Sequence, residues 1–517
     1  MLFTSLSFIC FLALLFLVYY FVPLRFRWML LLLCSAVFYA FAGLSGFLFL
    51  GATVLSTYAA GYWIGKVQEK QAGWLSADGK AASREERKAY KETCKKRMRL
   101  FLVPCLLFNF GILAVLKYLL IGSGLTGTEL VLPMGISFYT FQTMGYLIDV
   151  YRGKAAAEKN IFRLALFTSF FPLLVQGPIS DYKYVTETLY TPEPFCAKNL
   201  LFGIERILWG YFKKLVIADR LLAAVRVLIG DPSVYTGAYA LFGMALYAVQ
   251  LYADFTGGID ITIGIAQVLG IRVQENFNRP YFSKNITEYW RRWHISLGEW
   301  FKEYLFYPVS VSKPMLRLSK NARARLGDAV GKRIPVYLST ILVWLTTGIW
   351  HGRGWNFVVW GLGNCVIILI SQELSPLYRK FHARFPSLKN TAPYKSFEIL
   401  RTVFLLSSLR MLDCYRDVPL TFRMFGGIFT EGNYAELLGG GFLKLGLSGW
   451  DYAVVLAGGL LLFGVSMLQR TGSVRERLYR RSFPLQGAVL ALLLISILIF
   501  GAYGIGYDSS QFIYNQF

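Results

Sequence analysis

Charge is scarce in this chain: only 16% of its 517 residues are Asp, Glu, Lys or Arg, against 55% hydrophobic ones, and histidine occurs three times. With so little charge and so many long apolar runs, a soluble core protein is excluded. The seven cysteines form no C-x-x-C pair, and five of them lie in or at the edge of apolar runs. They read as small buried hydrophobes, with neither a disulfide framework nor a metal site implied. Other signatures are missing too. Gly43-Leu44-Ser45-Gly46 and Gly446-Leu447-Ser448-Gly449 lack the G-x-S-x-G spacing, and there is no Walker lysine motif and no H-E-x-x-H. Hydrolase-elbow, P-loop and zincin chemistries therefore have no residues to stand on. No internal repeat, low-complexity tract or soluble domain is visible, so we expect one domain over 1–517.

What is present is a multi-span membrane protein. The net charge of +24 would suggest nucleic acid in a soluble domain, but here the cations fall between apolar runs, the pattern that positive-inside topology produces. Nucleic acid is not an expected partner; the lipid bilayer is. Residues 2–22, 28–43 and 45–65 read as spans, the first retained because it lacks the basic start and small-residue end of a signal peptide. Residues 66–99 carry eleven Lys or Arg against five acids, and residues 310–333 seven against Asp328 alone. Both loops should be cytoplasmic, which puts both termini outside. Further spans are expected near 100–121, 132–151, 237–257, 334–352, 355–373, 397–413, 450–468 and 485–504. The stretch 161–180, with Phe171-Pro172 and Gln176-Gly177-Pro178, should be broken at membrane depth. Residues 200–228 place Arg206, Lys213, Lys214, Arg220 and Arg226 among apolar neighbours, which suggests an interfacial or tilted helix. The fold class is therefore all-α and polytopic, with about ten to twelve transmembrane, re-entrant and interfacial segments.

Two histidines sit in aromatic motifs. The first is Asn276-Phe277-Asn278-Arg279-Pro280-Tyr281 followed by Glu288-Tyr289-Trp290-Arg291-Arg292-Trp293-His294; the second is Gly348-Ile349-Trp350-His351-Gly352 with Trp355, Asn356 and Trp360. An ionisable group at membrane depth is costly and tends to face a cavity, and the glycines at 348, 352 and 354 let a backbone or a substrate come close beside His351. A neutral imidazole there could take a proton from an attacking hydroxyl, with Trp350, Trp355 and Asn356 shaping the site and stabilising an oxyanion. His294 is either an interface residue or part of a path on which Arg279, Arg291, Arg292 and Trp293 hold an anionic donor. Asp254 and Asp260 could orient a histidine, bind a sugar hydroxyl or bridge to an arginine. His382, in a basic loop, reads as structural.

Taken together, the chain resembles the membrane-bound O-acyltransferase family, and within it the bacterial subunit that acetylates alginate and related exopolysaccharides. The resemblance rests on Met134 to Gln142 with Asp149-Val150-Tyr151-Arg152-Gly153, on Gln176-Gly177-Pro178-Ile179, on Asp254-Phe255-Thr256-Gly257, on both histidine motifs and on the aromatic close 512–517. It implies a ring of helices around a thin centre with a through-tunnel, a motif core over 132–361 flanked by N-terminal helices in 1–131 and C-terminal helices in 397–517, and a bacterial cell-membrane location. It implies His351 as the catalytic residue, His294 along the tunnel, Gln142 near the acceptor, acetyl-CoA as donor without a metal, and a polysaccharide acceptor reached with or without a hydrolase-like partner outside. Ser180-Asp181 after Gly-Pro-Ile and Gly258-Ile259 before Asp260 depart from the family pattern and bear on the acceptor. Teichoic-acid D-alanylation and lipid or protein acylation use the same fold; a transporter without chemistry would be expected to show paired inverted halves, which are not visible.

Overall fold

The computed structural model describes residues 3–120 and 133–503. The aromatic close 512–517 and both chain ends, whose placement the sequence suggested, lie outside the described residues. Regular structure among them is helical; the one β contact is an isolated antiparallel bridge between Phe277 and Trp293. Among the described residues, six helical stretches are long and apolar enough to cross a membrane: Gly46–Ser76, Arg84–Tyr118, Asp328–His351, Trp355–Glu373, Gly449–Thr471 and Phe483–Phe500. The first apolar run gives a shorter helix, Leu6–Tyr19.

The chain divides into two compact units, Met1–Ile204 with Thr262–Gln274, and Glu205–Ile261 with Glu275–Phe517. In the first, helices α1 (Gly46–Ser76), α2 (Arg84–Ala114) and α3 (Ile136–Arg152) close over a core that includes Ile64, Met144, Leu147, Val150 and Leu164. The basic insertion 66–99 is largely not a loop. Helix α1 runs on to Ser76, and α2 begins at Arg84 behind a capping box in which Ser83 and Glu86 exchange side-chain and backbone hydrogen bonds. The stretch 161–180 is broken as its prolines require: Ile161–Ser169 stops at Phe170, and Phe171–Gln176 follows. Ser35 Oγ accepts from the Phe171 amide at 3.2 Å, satisfying a donor freed by the break. Gly135 supports this corner with φ +73, and a Cβ there would lie 2.4 Å from the Leu174 carbonyl oxygen.

Helix α4 (Ala197–Tyr211), which belongs to the second unit from Glu205 onward, continues through a π-helical stretch, Phe212–Ala218, into α5 (Asp219–Gly230). Of the five cations that suggested an interfacial or tilted helix here, Arg226 is exposed and the other four are not at a surface. Arg206, Lys213, Lys214 and Arg220 are all buried, because each finds an acid inside: Arg206 pairs with Asp260 and Glu275, Lys213 with Asp260, Lys214 with Asp254 and Asp219, and Arg220 with Asp451. The acids at 254 and 260 lie on α6 (Ala238–Val268), which runs antiparallel to α4 and touches it where glycines meet. A Cβ on Gly210 would stand 2.6 Å from the Gly257 carbonyl oxygen.

Candidate active site

The first histidine motif folds into a clasp. The Phe277–Trp293 bridge is flanked by Asn278 N donating to Arg292 O at 2.9 Å and Ile295 N donating to Asn276 O at 3.0 Å. This pairing forces the chain to turn sharply, and His294 takes the left-handed conformation, φ 49°, immediately before the short helix Ile295–Phe301. Only two other described non-glycine residues have positive φ, one of them Arg279 at 47° in the same clasp. Strain of this kind persists only where surrounding structure over-determines it, and it gathers at functional sites. Asn276 Oδ1 accepts from Ser296 N and Oγ, both at 3.0 Å, and faces His294 Nδ1 at 3.4 Å. With Nδ1 donating to that oxygen, the lone pair of the ring resides on Nε2. Burial first, and then the Arg410 guanidinium, hold the His294 imidazole well below its ordinary pKa, so it is neutral.

His351 is the last residue of α7 (Asp328–His351), which packs on α8 (Trp355–Glu373). The two backbones nearly touch. A Cβ on Gly348 would lie 2.5 Å from Phe357 O, and one on Gly361 would lie 2.4 Å from Trp344 O. At Gly348 the backbone of α8, one of the two occupants the sequence allowed there, is the one that comes close, and with Gly361 it lets α8 close on α7. Gly352 likewise gives its space to the Phe357 ring, and Gly354 to the Asn356 side chain.

Both histidines line one cavity of about 520 Å³, with Phe255, Trp290, Arg291, Trp293, Phe301, Trp344 and Arg410 among its walls. Trp350 is buried between them, its ring 6.2 Å from His294 and 5.0 Å from His351. Phe255 meets His294 edge-on at 5.1 Å, and Trp360 meets His351 at 4.6 Å. Arg291 reaches the cavity, whereas Arg292 pairs with Glu288 at 2.6 Å. The Arg279 guanidinium donates to the Ser466 carbonyl. Its pKa is lowered by burial and by the nearby cations Arg292 and Arg470, which marks a crowded positive patch.

The remaining candidates sit elsewhere. Asp260 bridges to Arg206 on α4, as the arginine alternative has it, and to Lys213, whereas Asp254 pairs with a lysine, Lys214, of the π-helical stretch. Trp355 is 79% exposed, and Asn356 donates its amide to the Leu412 carbonyl. Neither lines the cavity. Gln142 belongs to the first unit, where its amide donates to Phe167 O at 2.8 Å. His382 lies 3.0 Å from the Tyr394 hydroxyl, a local structural contact. Sequence reasoning missed Arg410, although Arg410 and Asp413, opposite charges three residues apart inside an apolar run, were the available signal.

The chain is 31% identical over 426 residues to the "Probable alginate O-acetylase AlgI" of Azotobacter vinelandii, a match covering 80% of this chain and 75% of that protein. Residues 155–323 also match the model of the membrane-bound O-acyltransferase family. The chain belongs to that family. As a membrane-bound O-acyltransferase it is an acyl-transferring enzyme in a membrane. It is also similar to the peptidoglycan O-acetyltransferase of Helicobacter pylori, at 31% identity over 56% of this chain and 58% of that one. Likeness to the teichoic acid D-alanyltransferase of Bacillus subtilis is 28% over 46% and 58% respectively. In the structure of this acyltransferase, the family match takes in the His294 clasp and ends before the helix that carries His351.

Proposed function

We propose that this acyltransferase moves a small acyl group, acetyl from cytoplasmic acetyl-CoA, to a hydroxyl of an extracellular polysaccharide, with His351 as general base. The observation that carries the reading is that two histidines from separate motifs line one cavity. A polysaccharide hydroxyl is a poor nucleophile at neutral pH, whereas a thioester carbonyl is already activated, so a base is what the pair of substrates lacks. The imidazole of His351 takes the hydroxyl proton as the oxygen bonds to the carbonyl carbon. The C–S bond then breaks, and the proton passes to the leaving thiolate. Neutral His294 lines the route, and Trp350 fixes the separation of the two rings.

Arg291 on the cavity wall and the crowded cations Arg279, Arg292 and Arg470 suit the phosphates of the donor, with Trp293 beside them. Asp254 and Asp260 act at one remove, by holding the helix that carries Phe255. The basic segments 66–99 and 310–333 face the cytoplasm and both termini face outward. Labelling from outside, in intact cells, of cysteines introduced into either segment would overturn that orientation. Similarity to named alginate and peptidoglycan acetylating proteins favours a glycan acceptor, reached directly or through a hydrolase-like partner. D-alanyl transfer is the second reading, favoured by the Bacillus subtilis relative. Mass spectrometry of envelope polymers from wild-type and deletion cells separates them. Loss of O-acetyl groups is expected; loss of D-alanyl esters alone would move the assignment, and unchanged polymers would overturn both.

A further inference from the structure

The cavity wall holds a cation that neither histidine motif contains. Arg410, on α9 (Ala392–Tyr415), is buried, and its guanidinium carbon lies 4.8, 5.5 and 5.8 Å from the ring centroids of Trp360, Trp293 and Trp290. Its Nη1 donates to Asp413 Oδ2 at 2.8 Å. Trp290 and Trp293 belong to the clasp that turns at His294, while Trp360 is the ring against which His351 packs. One guanidinium is thus the common neighbour of both motifs.

We propose that Arg410 is a positioning residue for acyl transfer, holding Trp293 and Trp360 so that the two imidazoles address one cavity. The inference rests on the acyl-transfer reading above. Arginine suits the task where lysine would not: a planar, delocalised cation can lie against several indole faces and still donate laterally to a carboxylate, whereas an ammonium is a single, strongly hydrated point. Asp413 keeps the buried charge compensated without occupying the ring faces.

The test must separate positioning from charge balance. Arg410→Gln alone would strand the Asp413 carboxylate, so the decisive protein is Arg410→Gln with Asp413→Asn, which removes both charges at similar volume. Purified wild type and variants are assayed with radiolabelled acetyl-CoA and the cell's own envelope polymer, alongside thermal unfolding in detergent. The double variant should unfold near the wild-type temperature and keep its KM for acetyl-CoA, while kcat falls roughly ten- to a hundredfold, the scale of a displacement near 1 Å at a reacting group. A double variant with wild-type kcat overturns the proposal, because Arg410 then only balances Asp413. A rise in KM at constant kcat overturns it as well, since that is a binding role. If the double variant does not accumulate, Arg410→Lys decides: a lowered kcat at unchanged KM supports positioning, and full kcat refutes it. Wild-type protein that transfers no acetyl overturns the functional reading, and this inference with it.

Discussion

Gly361 offers a way to move His351 without touching any reactive group. Its α-carbon faces the Trp344 carbonyl, and a methyl placed there would stand 2.4 Å from that oxygen, about 1 Å inside ordinary van der Waals contact. The oxygen belongs to the backbone of α7, so no side chain can swing aside. Helix α8 must retreat by about that distance, taking Trp360 away from His351, its neighbour at 4.6 Å. Overpacking of this kind costs about 1–3 kcal/mol, which a well-packed membrane domain should survive. The effect on rate should be larger than the effect on folding. Misplacement by about 1 Å typically lowers turnover near a hundredfold, so Gly361→Ala should accumulate in the membrane, bind acetyl-CoA and transfer its acetyl group at about a hundredth of the wild-type rate. Gly459, a helical glycine with open space around its α-carbon, is the control, and Gly459→Ala should be silent. Gly361→Ala with wild-type turnover would show that the contact of α7 with α8 does not set the position of His351.

Substitutions at His351, at Arg291 and Arg292, and at Lys214 probe the site and the ion pairs behind it. His351→Ala should lower transfer about a hundredfold or more, or about 2.7 kcal/mol of barrier, with insertion unchanged. His351→Gln should not rescue it, and a purified alanine variant with near wild-type transfer would shift the role to His294. Arg291→Gln should raise the KM for acetyl-CoA more than Arg292→Gln, because Arg291 reaches the cavity and Arg292 is paired with Glu288; equal effects in steady-state kinetics would make both interface anchors. Lys214→Met leaves Asp219 and Asp254 as buried carboxylates without their shared cation. Thermal unfolding should register a loss of about 3–5 kcal/mol, largely recovered when both acids are also changed to Asn.

The helical class, the break near 170 and the two histidine motifs were legible because they rest on local signals: apolar length, proline, and aromatic residues set around an ionisable group. What composition could not supply was pairing. Lys213 and Lys214 look like interfacial cations until α6 brings Asp260 and Asp254 to them. Arg410 belongs to no motif in sequence, and only the fold brings three indoles from two other segments around it. The glycines near His351 admit either a backbone or a substrate in sequence terms, because sequence shows a missing side chain but not the Phe357 and Asn356 atoms that fill its place.

The paired charges and the cavity are also mechanically linked. Helices α4 and α6 cross at Gly210 and Gly257, and the ion pairs fall on both sides of that crossing, Arg206 with Asp260 on one side and Lys214 with Asp254 on the other. A slip of one helical turn, about 5.4 Å, would break every pair at once and leave several charges buried without partners, each costing several kcal/mol. Register is therefore set more firmly than apolar packing alone would set it, since leucine and isoleucine surfaces tolerate sliding. Asp254 is adjacent in sequence to Phe255, which lines the cavity and meets the His294 ring at 5.1 Å. Fixing one fixes the other, and the two aspartates, although engaged away from the cavity, determine where its wall stands.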